Sequence, residues 1–203
     1  IKLVYSERLG EDGGVDLSKI NCLAVIEHFQ TDIYTCKGDA EEIWEPRFTY
    51  HGFQYAQVYG WPDEASVESF EVRVVHTAFE TAGNFTCSKD LFNKLQQCTR
   101  YSYLGNYHGL ARECRHKEKN GGTGDAQIAA EVGLMNFDST GAYTKWLNDF
   151  GDAQRVNGQV PCIVPAPGWG WLGKRSCMGQ RIYSDPMVCI SVSRRYFHSG
   201  NTL

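Results

Sequence analysis

The chain has 203 residues, 42% of them hydrophobic and 13% aromatic, which is ample for a core, and its 20 Lys and Arg against 24 Asp and Glu give a formal charge of −4. That balance offers no basic face for nucleic acid, whose phosphates would demand one, and no apolar run is long enough to span a bilayer, so neither partner is expected. The opening residues lack the basic start and apolar centre of a secretory leader and begin at Ile1 rather than Met, as expected of a fragment; compartment and oligomeric state stay open.

Residues 1–80 read as strands. Phe70-Glu-Val-Arg-Val74 alternates apolar with charged, and Phe53, Tyr55, Ala56 and Val58 put bulk on both faces of a preceding strand. Turn residues punctuate these runs at Gly10 to Gly14, Lys37-Gly-Asp39, His51-Gly52 and Trp61-Pro-Asp63. This is the pattern of a β-sandwich portion. Aromatic residues at period two are more often core than a platform for sugars.

After Ser88 the period changes to that of helices. Ser88 is a plausible N-cap, Asp90 suits the positive helix start, and Leu91, Leu95, Cys98 and Tyr101 or Ser102 trace one face expected to turn inward. A second helix begins near Thr123 or Gly124, with Ile128, Ala129, Val132 and Met135 inward. A third, from Ser139, carries Tyr143, Trp146, Leu147 and Phe150 at the spacing of one buried stripe. Asn157-Gly158 then turns the chain, and Val160 to Pro167 runs extended because residues before proline avoid the helical region. Strands followed by helices predict an α+β arrangement of two units rather than an alternating sheet. The eight cysteines lack the spacing of a stapled domain or of a metal site, and are expected as small buried hydrophobes; no cofactor or metal is expected.

The chemistry concentrates in Gly109-Leu-Ala-Arg-Glu-Cys-Arg-His-Lys-Glu-Lys-Asn-Gly-Gly-Thr-Gly-Asp125-Ala-Gln127. Glu113, Glu118 and Asp125 converge if Gly121, Gly122 and Gly124 fold the backbone sharply. Such a carboxylate cluster suits glycosidic bond cleavage, in which one acid protonates the leaving oxygen while others hold hydroxyls. The alternative is a solvated charged loop. Asp125, at a helix start, also complements the helix dipole, and the two roles are compatible. For Glu118, Lys117 and Lys119 favour the charged form, whereas a general acid needs burial or neighbouring carboxylates to keep its proton.

The segment resembles the signature of the α-L-rhamnosidases of glycoside hydrolase family 78, matching at Gly109, Cys114, His116, Glu118 to Gly121 and Thr123 to Gln127. The likeness continues through Trp44 to Tyr55 upstream and through Asn136 to Asp138, Lys145 to Asp149, Asp152 to Gln154 and Val164-Pro165 downstream, so it covers most of residues 42–170. The family pattern has Pro, Thr, Asp, Pro, Arg and Trp where this chain has Ala111, Arg112, Glu113, Arg115, Lys117 and Gly122. Lys for Arg loses a planar fork, and Gly for Trp removes an aromatic face.

The resemblance implies a β-sandwich portion over 1–83 leading into the first helices of an (α/α)6 barrel over 84–170. It implies inverting hydrolysis of terminal α-L-rhamnose, with a rhamnose-containing carbohydrate as partner. Glu118 falls at the family's general acid, Glu113 and Asp125 at positions that bind the sugar, and Lys117 and Trp169 in or beside that site. The partner base lies in the family beyond the point that matches Leu203. With only the opening helices of such a barrel, Trp146, Leu147, Phe150, Val132 and Met135 are expected to face solvent. From about Trp171 the likeness stops. Read one base later, Met178-Gly179 and Met187-Val188 each yield Trp and the family pattern resumes, so 171–203 is expected to be an out-of-frame, disordered tail. A non-catalytic remnant with residual sugar binding is the alternative for this polypeptide.

Overall fold

The computed structural model describes residues 1–18, 20, 29–38, 41–112, 114–117 and 119–165. They form two compact units, one of residues 1–74 with 114–117 and the other of residues 75–112 with 119–165. Trp169 and the tail from 171 lie outside the described residues, as do Glu113 and Glu118.

The first unit is built on a three-stranded antiparallel sheet in the order β2-β1-β3, with β1 at Lys2–Ser6, β2 at Thr31–Ile33 and β3 at Tyr55–Tyr59. Leu3 faces Asp32 on one side and Val58 on the other, and Ser6 pairs with Tyr55 at the end of the ladder. Val4 and Tyr5 of the central strand supply its buried apolar side chains. The alternating run from Phe70 to Val74 does not form a strand: it finds no ladder partner among the described residues, and Val72 and Val74 are exposed. Alternation suits a half-buried strand only when a neighbouring strand supplies the hydrogen bonds. A short 3-10 turn at Val67–Ser69, capped by the Ser66 hydroxyl, precedes it.

The second unit carries α1 at Asp90–Gly105, α2 at Thr123–Asn136 and α3 at Thr140–Ala153. Residues 80–83 pair with 136–138: Ala82 N–H donates to Asn136 O at 3.0 Å and Asp138 N–H to Glu80 O at 2.9 Å. The Arg100 guanidinium of α1 fastens this pairing. It donates to Gly83 O at 3.1 Å and to Thr81 Oγ1 at 2.9 Å, and it lies 4.4 Å from the Phe137 ring centre. Residues 75–83 thus pack with the helices.

An aromatic core fills this unit. Tyr103 stacks on Phe137 at 5.3 Å, Tyr107 meets Phe79 edge-on at 4.9 Å, and Trp146 meets Phe150 edge-on at 4.7 Å. The Tyr103 ring leaves no room for a side chain at Gly133, which is how α1 and α2 approach closely. Burial holds the phenols of Tyr103, Tyr107 and Tyr143 above their ordinary range, so they remain protonated, and the Tyr103 hydroxyl donates to that of Tyr143 at 3.2 Å.

Five further expectations are corrected. The α1 face of Leu91, Leu95, Cys98 and Tyr101 is exposed, and the helix instead buries Tyr103. On α2, Ile128 and Met135 are exposed while Ala126, Ala130 and Leu134 are buried; Ala129 and Val132 pack partly against the core. Trp146 and Phe150 do not face solvent, because Val160 and Val164 join the same core. The described cysteines are exposed at 36, 87 and 98 and half-buried at 114 and 162, so none is a core hydrophobe. The helix cap also shifts by one residue, with Lys89 rather than Ser88 at the N-cap of α1. Among the described residues no helix is long and apolar enough to cross a membrane, and no group of three or more His, Cys, Asp or Glu is placed to hold a metal ion.

Candidate functional site

The glycine-rich motif owes its shape to a backbone clamp in the second unit. Val164 N–H donates to Gly121 O at 3.0 Å, while Thr123 donates both its N–H, at 3.1 Å, and its hydroxyl, at 3.0 Å, to Cys162 O. Gly122 and Ile163 complete the bridge. A Cβ at Gly121 would stand 2.5 Å from Val164 O and 2.8 Å from Leu110 Cδ1, so only glycine permits this approach. Trp146 anchors the strap from below, its indole N–H donating to Val164 O at 2.9 Å.

The clamp starts α2 at Thr123, and this places Asp125 in the helix's first turn. Asp125 is half-buried and its carboxylate folds back against Gly122, in the space that a side chain at 122 would occupy. The Gly122 position where the family pattern has Trp therefore does more than omit an aromatic face. A side chain there must displace the Asp125 carboxylate from the positive end of α2.

Upstream, Gly109 N–H donates to Thr77 Oγ1 at 2.8 Å, and Arg112 returns to the end of α1 by donating its N–H to Asn106 O at 2.8 Å and Nη2 to His108 O at 3.2 Å. His108 was not singled out by the sequence. Burial first, then the charges of Arg112, His76 and Lys119, holds its imidazole below the ordinary histidine range, so it is neutral at pH 7. A histidine beside a glycine-rich motif carries no distinctive spacing; only the fold shows its cationic surroundings.

Residues 114–117 group with the first unit. Lys117 is half-buried and its N–H donates to Cys114 O at 3.2 Å in a turn, and His116 Nδ1 lies 3.6 Å from Glu7 Oε1. Arg115 and His116 pack on Gly52, where an added Cβ would meet Arg115 Cγ at 2.5 Å. Of the residues proposed from sequence, Asp125 and Lys117 are therefore described, in different units. Glu118, Glu113 and Trp169 lie outside the described residues. Within the second unit the described motif offers a carboxylate acceptor at a helix start, the Arg112 and Lys119 cations and the neutral imidazole of His108. These are donors and acceptors of the kind that hydroxyl-rich ligands require.

Residues 1–76 match the model of the bacterial alpha-L-rhamnosidase concanavalin-like domain, and residues 80–201 that of the bacterial alpha-L-rhamnosidase 6 hairpin glycosidase domain. The second match runs past Trp171, near which the motif likeness stops. An alpha-L-rhamnosidase of Formosa agariphila is 40% identical over 116 residues, 57% of this chain and 12% of its own length. One of Streptomyces avermitilis is 34% identical over 221 aligned residues, 100% of this chain and 21% of its own length. Among solved structures, the alpha-L-rhamnosidase from Dictyoglumus thermophilum superposes with a TM-score of 0.76 at 38% identity, covering 84% of this chain and 19% of that one. The Streptomyces avermitilis enzyme complexed with L-rhamnose gives 0.70 at 29% identity, covering 99% and 21%. The chain spans about a fifth of the length of the relatives it matches across most of its residues.

Proposed function

The chain belongs to the bacterial α-L-rhamnosidase family, and from that premise we propose that the complete protein of which it is a part hydrolyses terminal α-L-rhamnose from glycans or glycosides, with inversion at the anomeric carbon. The observation that supports this reading best is the match to two consecutive domains of the family over nearly the whole chain, together with a relative at 29% identity solved with L-rhamnose. In this reading Glu118 protonates the leaving oxygen. Glu113 and Asp125 hold sugar hydroxyls, with Lys117 and Trp169 in or beside the site. A base from another part of the family sequence activates water across the ring.

A panel of aryl glycosides tests the assignment. The complete protein is expected to cleave the aryl α-L-rhamnoside in preference to the other sugars, and an intact rhamnoside beside another cleaved glycoside overturns it. A second reading rests on Gly122, where the Asp125 carboxylate occupies the room of a missing side chain. It makes this copy a sugar-binding remnant. We further propose a division into a β-sandwich portion and a barrel portion whose boundary falls near residue 75 rather than 83, since 75–83 pack with the helices, and a last segment, 171–203, that is out of frame. Sequencing codons 105–203 checks this: an uninterrupted frame makes 171–203 ordinary family sequence, in keeping with the match that reaches residue 201.

A further inference from the structure

Four residues distant in sequence meet beside the sheet of the first unit. His51 Nε2 lies 3.0 Å from Asp32 Oδ2, and His51 Nδ1 lies 3.1 Å from Gln30 Oε1. Both side chains of the ion pair are nearly enclosed, at 8% exposure for His51 and 10% for Asp32. The orientation of the Gln30 amide is fixed independently, because its Nε2 donates to Gly52 O at 2.7 Å in a buried bond. Turning the amide over would set oxygen against oxygen there. Gln30 is 2% exposed and holds a left-handed φ of 52°, a conformation that a glutamine adopts only when its surroundings require it.

Both nitrogens of His51 therefore face oxygen acceptors. A neutral imidazole has one N–H, so it would leave one nitrogen lone pair against one oxygen lone pair; only the imidazolium donates to both. The acceptor side is equally constrained. The Tyr5 hydroxyl donates to the same Asp32 Oδ2 at 3.0 Å, so that oxygen already accepts one bond from a donor other than His51. Burial first, and then Asp32, raises Tyr5 far above the ordinary phenol range, so Tyr5 remains a donor. Its ring also stacks on His51 at 4.3 Å between centroids and 14° between planes.

We propose that His51 is held as an imidazolium in a proton-dependent clasp with Asp32, Gln30 and Tyr5. The clasp ties β1 and β2 to the 51–53 loop, and that loop carries residues 114–117 of the motif by packing Gly52 against Arg115 and His116. His51 is thus a positioning residue for the motif segment. Among the described residues, the charged and titratable groups around it include Asp32 on β2 and Tyr5 on β1, with Arg115 and His116 packed on Gly52 and Glu7 paired to His116. The sign follows from proton linkage. The folded clasp keeps a proton that the unfolded chain releases above about pH 6.5, so its contribution is fully present below that pH and is lost as pH rises through the folded-state value.

The test uses the 203-residue chain. Urea midpoints followed by Trp fluorescence are expected to fall between about pH 5.5 and about pH 8.5. His116→Gln, which removes the histidine packed on Gly52, should keep the fall. Asp32→Asn, which lets a neutral His51 satisfy the site, should flatten it. Because that variant can fail to fold, 15N-histidine spectra of the unaltered chain give a second readout: both His51 ring nitrogens should carry imidazolium shifts at pH 7.5 or so. A pyridine-type His51 nitrogen at that pH, or an unchanged slope in a folded Asp32→Asn chain, would overturn the proposal.

Discussion

Glu118→Gln in the complete protein is expected to lower turnover of natural rhamnosides by about 10²–10⁴-fold, the usual worth of a positioned general acid. Glutamine keeps the size and the hydrogen-bonding of the side chain but has no proton to give the leaving oxygen. Two further consequences separate this role from a structural one. Aryl rhamnosides with very acidic leaving groups need little proton help, so their loss should be much smaller. The alkaline limb of the pH profile, which reports deprotonation of the acid, should vanish with the carboxyl group. Equal losses on both substrate classes would assign Glu118 to structure rather than to chemistry, and would leave the hydrolase reading without its acid.

The second large effect concerns the support of the motif. Trp146→Ala is expected to destabilise the second unit by about 3–5 kcal/mol, the usual cost of emptying a buried aromatic site. Trp146 is 2% exposed and meets Phe150 and Tyr143 edge-on, so its removal opens a cavity between two neighbours that cannot close it. It also leaves Val164 O without its indole donor at the point where Val164 N–H holds Gly121. Trp146→Phe restores most of the volume without the N–H. The loss in Trp146→Phe relative to the unaltered chain, followed by denaturant unfolding, should then report mainly the hydrogen bond, at about 1–3 kcal/mol, the cost of an orphaned buried acceptor. A Trp146→Ala chain with an unchanged midpoint would show that the strap over the motif does not depend on this anchor.

The third helix was the most legible part of the fold, because Tyr143, Trp146, Leu147 and Phe150 repeat at helical spacing and the structure supplies the Val160 to Val164 strap that covers them. On α1 the same reasoning fails. The stripe of Leu91, Leu95 and Tyr101 marks an apolar face, but periodicity does not say what covers it, and the described residues pack on the side of Tyr103 instead. Phe70 to Val74 fails similarly, since alternation describes a strand's side chains and not the neighbour that would pair its backbone. In the motif, the start of α2 at Thr123 and the place of Asp125 in its first turn could be read from the residues. The consequence of Gly122 could not, because the missing side chain's room is taken by a residue that also reads well as a helix-start carboxylate. The His51 clasp left no trace in the sequence, for Tyr5, the Gln30 to Asp32 pair and His51 lie far apart along the chain and meet only once β1 pairs with β2 and the 51–53 loop comes beside them.

The central claim is that this chain is part of an inverting α-L-rhamnosidase, and the anomer first released tests it most directly. The complete protein, mixed with an aryl α-L-rhamnoside and followed by proton NMR faster than mutarotation, is predicted to release β-L-rhamnose first, as a single displacement by water requires. Release of α-L-rhamnose first, or no release of rhamnose at all, would contradict the account.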